Sequence, residues 1–250
     1  MKYTWKIGMA AVFVMSAAPA VKADLSLGGQ TGLFINPTAG IVEKKHPEVA
    51  GQYVRYSDRG YHINGFSVHG ALQAVDSLEV SASYIHYGDK YSYSENNWRI
   101  GAKYQILNQQ EKGIDLAVGA DFLQYNANID GNAYALYLAA TRDFTLKEDR
   151  APIKGTLGLR WDKDDPDGYD SSSKASVFGG VEIPLTRTGQ VSLIGELASK
   201  SSDHRKSVWD VGVRYHPRGT GFSLGAGYGS IWGLQRGSTW FAQVGYQFGK

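Results

Sequence analysis

The chain has no cysteine, seven prolines in 250 residues and a formal net charge of only +2. The missing thiols exclude a disulfide framework, thiolate chemistry and a lipidated amino-terminal cysteine. Near-balanced charge leaves no basic footprint for nucleic acid and no polyacidic tail. Past residue 23 no apolar run approaches the ~18 residues that a membrane-spanning helix requires. Mean hydropathy is −0.32, a value typical of water-soluble chains. Glycine (31), tyrosine (16) and tryptophan (6) are by contrast plentiful. A β-barrel in a membrane reads this way, because only every second residue of each strand meets lipid.

The amino terminus reads as an export signal. Lys2 and Lys6 precede an apolar run over residues 7–15, and Ala18, Ala20 and Ala23 supply small residues of the kind a signal peptidase reads. Cleavage is expected after Ala23, so that the mature chain begins at Asp24. This divides the sequence into a signal peptide (1–23), a lead segment (24–47) and a barrel (48–250).

Period-two alternation runs through the remainder. Trp240, Ala242, Val244, Tyr246 and Phe248 share one face of the last strand, with Phe241, Gln243, Gly245 and Gln247 on the other. Trp209, Val211, Val213 and Tyr215 alternate with Asp210, Gly212, Arg214 and His216, and Trp98, Ile100, Ala102 and Tyr104 with Arg99, Gly101 and Lys103. Aromatic residues sit mainly at the ends of the apolar stripes, where a membrane-interface girdle lies. Tight connections around residues 74–76, 108–110, 186–189 and 217–219 alternate with polar ones around 89–96, 126–132, 164–173 and 232–237. The predicted fold is all-β, a transmembrane antiparallel barrel of about twelve strands of ~10 residues in the bacterial outer membrane, both ends periplasmic. The strand near 49–56 has the weakest pattern, and losing the first hairpin would leave ten. Expected partners are outer-membrane lipid, lipopolysaccharide and the outer-membrane assembly machinery, which would read the terminal aromatic strand.

The same parity turns Glu79, Arg99, Lys103, Asp115, Asp121, Lys154, Arg160, Glu182, Glu196, Asp210 and Arg214 toward the lumen. Charges there must be paired or hydrated. Their mixed signs point to cross-wall ion pairs or a narrow pore with little charge preference. Leu116 and Val118 are expected to face lipid, and Ala117 and Gly119 a hydrated lumen, so that arginine should be tolerated better at 117 than at 116.

Catalytic chemistry finds little purchase. The six histidines have no serine motif beside them, and Asp203-His204 is a lone acid–imidazole pair at the rim. Gly225-Ala226-Gly227-Tyr228-Gly229 lies in an alternating strand with no helix after it, so its glycines are expected to relieve crowding inside the barrel rather than cradle phosphate. Neither an enzyme activity nor a cofactor is expected. Asp162, Asp164, Asp165 and Asp167 form an acidic stretch read as a solvated loop, with a divalent cation bridging it to lipopolysaccharide phosphates as the alternative.

The lead segment departs from the strand pattern. Pro37 interrupts any strand there, which leaves a short first strand, a periplasmic lead or a segment folded into the lumen. Its glycine-rich opening, then Gly32-Leu33 followed by Pro37-Thr38-Ala39, with Ser77-Leu78-Glu79-Val80 in a later strand, resembles the start of YjbH-like outer-membrane barrels. That resemblance implies an envelope setting tied to exopolysaccharide production or export, with polysaccharide or export components as partners. Two functional classes follow. One is a non-enzymatic envelope barrel with a structural or export-associated role; the other is a small diffusion channel similar in size and strand count to twelve-stranded oligosaccharide porins.

Overall fold

The computed structural model describes residues 24–58, 61–89, 94–126, 130–146, 149–200, 207–231 and 237–249. Among them twelve antiparallel strands close into one barrel: β1 (Glu48–Asp58), β2 (Tyr61–Val75), β3 (Leu78–Gly88), β4 (Ser94–Leu107), β5 (Asp115–Asn126), β6 (Gly131–Phe144), β7 (Ile153–Pro166), β8 (Ser172–Pro184), β9 (Val191–Ala198), β10 (Val208–Tyr215), β11 (Phe222–Ser230) and β12 (Ser238–Gln247). Every strand pairs with its neighbours in sequence, and β1 closes the seam on β12, from Glu48 opposite Gln247 to Ser57 opposite Ser238. Closure satisfies the backbone without leaving an open edge in lipid. The first hairpin, weakest in the sequence, is thus half of the closing seam, and the ten-strand alternative does not hold.

Exposure inverts the rule for water-soluble proteins. Val68, Leu157 and Leu197 are each 64% exposed, whereas Glu79 and Lys103 expose nothing. The outer face carries ring pairs at two levels. Tyr53–Phe66, Tyr84–Trp98, Phe122–Tyr134 and Tyr228–Trp240 lie toward the end remote from the termini, with centroids 4.7–5.3 Å apart. Phe222–Tyr246 and Tyr246–Phe248 lie toward the end carrying both termini. Together they bracket an apolar band, as interfacial girdles do.

Connection lengths do not divide as the sequence suggested. The terminal end is linked by residues 76–77, 108–114, 145–152, 185–190 and 216–221, the far end by 59–60, 89–93, 127–130, 167–171, 199–207 and 231–237. Neither set is systematically longer. At the terminal end one connection holds a single helical turn, α1 (Gln109–Lys112), capped by the Asn108 side chain and by Gly113 at φ 75°.

Glycine in this wall makes room for rings. Gly119 lies directly across from Tyr137, Gly158 from Phe178 and Gly227 from Phe241, and a methyl group at each would fall within the opposing ring. Inward aromatics can therefore lie flat against the wall instead of blocking the lumen. Gly158→Ala should cost about 1–3 kcal/mol by overpacking, whereas a methyl at lipid-facing Gly195 meets nothing within 4 Å and should be near neutral. Urea unfolding in lipid vesicles checks the contrast; equal effects would reject it.

The last strand also closes the barrel. Tyr246 pairs with both Val49 and Phe222, and Gln247 N–H donates to the Gly221 carbonyl at 2.9 Å. Deleting residues 246–250 should therefore cause periplasmic accumulation and degradation. Normal outer-membrane levels on membrane fractionation would count against a role for this strand in assembly.

Candidate functional site in the lumen

Of the three placements open to the lead segment, the structure takes the last: residues 24–42 occupy the lumen. The segment folds on itself through reverse turns. Ser26 N–H donates to the Gln30 carbonyl (2.8 Å), Leu27 N–H to Phe34 (2.7 Å) and Leu33 N–H to Asn36 (3.0 Å). Gly29 turns the chain at φ 83°, in the left-handed region that glycine enters freely. A side chain at Gly32 would meet the Asn36 carbonyl, so only glycine permits the two turns to touch. Local chemistry makes a compact knot that joins no strand of the barrel.

Its apolar residues find their core in the wall. Leu33 and Phe34 pack with Val54, Ile194, Ile231 and Phe241; Leu25 and Val42 meet Ala50 and Ala71; Ala39 meets Ala117, Tyr137, Ala139 and Phe178. Phe34 stacks edge-on with Phe241 at 4.9 Å, and the Arg214 guanidinium lies over the Phe34 ring at 4.8 Å. Here again glycine clears the space. A Cβ at Gly212 or Gly225 would stand 2.7 Å from the Phe34 ring, one at Gly180 2.5 Å from Leu33, and one at Gly101 2.5 Å from the Gln30 amide.

Polar residues of the wall bind the plug's backbone. Glu196 accepts four hydrogen bonds, from Phe34 N–H (2.5 Å), Ile35 N–H (3.0 Å), Asn36 N–H (2.8 Å) and Asn36 Nδ2 (2.8 Å). Glu79 accepts from Thr31 N–H (2.9 Å), Thr31 Oγ1 (2.5 Å) and Val42 N–H (2.8 Å), while Lys103 Nζ lies 3.3 Å from it and donates to the Thr31 carbonyl (2.9 Å). Gln30 bridges Asp121, to which its amide donates at 2.9 Å, and Tyr137, whose hydroxyl donates to it. Thr141 Oγ1 accepts from Ala39 N–H at 2.9 Å, and the Gln243 amide donates to the Leu25 carbonyl. Turns leave such amide groups without partners in the segment itself. Buried carboxylates, costly alone, are suited to take them.

The sequence-derived lumen residues divide by level. Glu79, Lys103, Asp121, Glu196 and Arg214 contact the plug directly or within its shell. Asp210 is buried as the direct cross-strand neighbour of Glu196. Asp115 lies at the terminal mouth, accepting from Gln109 N–H (2.7 Å) and the Gln105 amide (3.1 Å). Lys154 and Glu182 are cross-strand neighbours that line, with Asp115, Asp143 and Glu48, a polar cavity of about 230 Å³ beside the plug. Arg99 and Arg160 stand beyond the plug toward the far end. The Arg99 guanidinium covers Gly28, and Arg160 Nε pairs with Asp162 at 2.6 Å.

Two expectations fail here. Ala117 does not face a hydrated lumen: it is wholly buried against the plug's Ala39. The acidic stretch is not a loop either, because β7 continues to Pro166 and places Asp162 and Asp164 on one face and Asp165 on the other. Asp162 pairs with Arg160, Asp164 accepts from the Tyr125 hydroxyl (2.9 Å), Asp165 lies 3.8 Å from Lys163, and Asp167 is exposed in the turn. Among the described residues no three His, Cys, Asp or Glu side chains gather as a metal group. Asp203 and His204 lie outside the described residues.

Residues outside the sequence-derived list of lumen charges complete the site: Gln30, Glu48, Tyr137, Thr141, His216 and Gln243. All but Gln30 share the inward parity of their strands or immediately follow one. A list confined to charges on the strongest stripes passes over the neutral amides, hydroxyls and the first strand's opening residue.

A closed twelve-strand barrel with paired outer girdles and a polar interior is an outer-membrane β-barrel. Its solved structural relatives agree. The COG4313 outer-membrane channel from Pseudomonas putida F1 aligns at TM-score 0.57 and 13% identity over 86% of this chain and 100% of that one. The KdgM porin in complex with disordered oligogalacturonate aligns at 0.56 and 12% over 81% and 99%. The NanC porin aligns at 0.54 and 14% over 81% and 100%. At these identities the likeness is one of fold. No family model and no curated protein matches the chain.

Proposed function

We propose that the protein is a plugged outer-membrane channel for small polar solutes, oligosaccharides among them, held shut by its own residues 24–42. The observation that carries this reading is the separateness of plug and wall. The sheet is complete from β1 to β12 without the plug, and much of the plug's grip is hydrogen bonding to side chains that water can replace. A barrel needing only to be solid can fill a twelve-strand interior with wall side chains. This wall instead opens space with Gly101, Gly180, Gly212 and Gly225 for a removable segment. Mixed lumen charge favours solutes without a strong sign. Porins of like fold, one of them solved with oligogalacturonate, suggest the size class.

The filled lumen also suits a second reading, a non-conducting envelope barrel with a structural or export-associated role near surface polysaccharide, for which the YjbH-like opening speaks. Planar-bilayer recording separates the two. The full mature chain should be quiet or open only briefly, and a variant lacking residues 27–40 should show steady conductance. A folded deletion variant that stays silent would sink the channel reading.

A further inference from the structure

Residue 24 is held through its carbonyl, its carboxylate and its backbone nitrogen. Its carbonyl accepts from Gly32 N–H at 2.7 Å, and its carboxylate lies 3.3 Å from Arg214 Nη1 and 3.1 Å from His216 Nε2. Its backbone nitrogen stands 3.2 Å from Glu48 Oε2. Asp24 and Glu48 are both buried, 7% and 2% exposed. The other Glu48 oxygen accepts from the Gln247 amide at 3.0 Å. Among the described residues, Glu48 therefore has neutral hydrogen-bond donors only, and no lysine, arginine or histidine lies within ion-pair distance of it. A buried carboxylate without a cation is an expensive arrangement: Glu79 has Lys103 and Asp24 has Arg214, while Glu196, which also has neutral donors only, is offset by four of them where Glu48 has two.

We propose that Glu48 is the receptor for the chain's own α-ammonium group, created when the export signal is removed between Ala23 and Asp24. Hydrolysis of that bond adds one water, leaves a carboxylate on residue 23, and frees an amine at the Asp24 nitrogen, which takes up a proton at neutral pH. A chain that continues upstream offers Glu48 one amide hydrogen and no charge. The processed chain offers three hydrogens and a positive charge from the same atom, already 3.2 Å from Oε2. Processing thus completes the anchor of the plug, and the first residue is gripped at both ends, ammonium by Glu48 and side-chain carboxylate by Arg214 and His216. The inference rests on the cleavage position, and it holds whether or not the barrel conducts.

The test is the reactivity of that amine. Protein purified from the outer membrane should have an intact mass that starts at Asp24. Acylation with an N-hydroxysuccinimide ester at neutral pH should label the Asp24 amine at least tenfold more slowly in the folded protein than in the urea-unfolded one, read by peptide mass spectrometry. Glu48→Gln should restore fast labelling. So should insertion of two alanines between residues 23 and 24, and the two changes together should add nothing to either alone. Circular dichroism and resistance of the barrel to SDS establish that each variant has folded. A mature chain beginning elsewhere, or fast labelling of folded wild-type protein, would overturn the proposal without variants. Additive effects of the two changes would overturn it too, even if the plug deletion conducts as expected.

Discussion

Glu196→Ala should turn a quiet barrel into one that opens often. The substitution removes the acceptor for Phe34, Ile35 and Asn36 N–H and for the Asn36 side-chain amide at once. Hydrogen bonds to a charged group contribute roughly 1.5–3 kcal/mol each, but water entering the vacated space recovers part of that. A net loss of about 3 kcal/mol, roughly a hundredfold in the ratio of plugged to unplugged molecules, is the expected result. The backbone pairing of β9 with β8 and β10 does not involve the carboxylate, so the barrel should persist. Glu196→Gln keeps one acceptor oxygen and should fall between the two. Single-channel recording reads the open probability, and an alanine variant as quiet as the parent would remove Glu196 from the latch.

Arginine at Ala117 should now be at least as damaging as arginine on the lipid face, reversing the order expected from strand parity. Val118 points outward, where arginine near the bilayer midplane costs roughly 2–4 kcal/mol. Ala117 is wholly enclosed by Ala39, Tyr137, Ala139 and Phe178, so the longer side chain adds overpacking to an unpaired charge. The diagnostic outcome is a rescue. With residues 27–40 deleted, Ala39 is gone and the guanidinium can reach water, so the cost of Ala117→Arg should fall by at least half while that of Val118→Arg stays the same. Unfolding of the four variants in lipid vesicles measures this; an unchanged Ala117→Arg penalty would mean that the wall alone, rather than the plug, sets it.

What the sequence made legible was everything governed by one short rule. Period-two alternation located the strands, their number and their inner face, because lipid on one side and a polar interior on the other constrain each residue by parity alone. The same rule misleads beyond the bilayer. Residues 162–166 are polar on both faces, which reads as a loop, yet the strand continues because nothing outside the membrane requires apolar residues there. The plug was legible only as an anomaly. Gly29, Gly32 and Pro37 announce turns, but the partners that fix their position, Glu79, Glu196 and Gln243, lie 48 to 218 residues away. Contacts at such separations leave no local trace in sequence. The wall glycines had a trace: Gly225 was expected to relieve crowding inside the barrel, and the ring that needs the space is Phe34.

The distances along the chain also fix an order of events in time. The plug's first residues are the first to emerge from the membrane crossing, but their binding groups are spread over β1, β3, β4, β5, β6, β9, β10 and β12 and come together only once the sheet has closed. The leading segment must therefore wait for the last strand. Until then the lumen is a water-filled hole with ionised walls, and Leu33 and Phe34 are exposed to solvent. Docking should appear as a late kinetic phase separate from barrel closure, sensitive to the length of the tether between residues 42 and 48 and little affected by lipid.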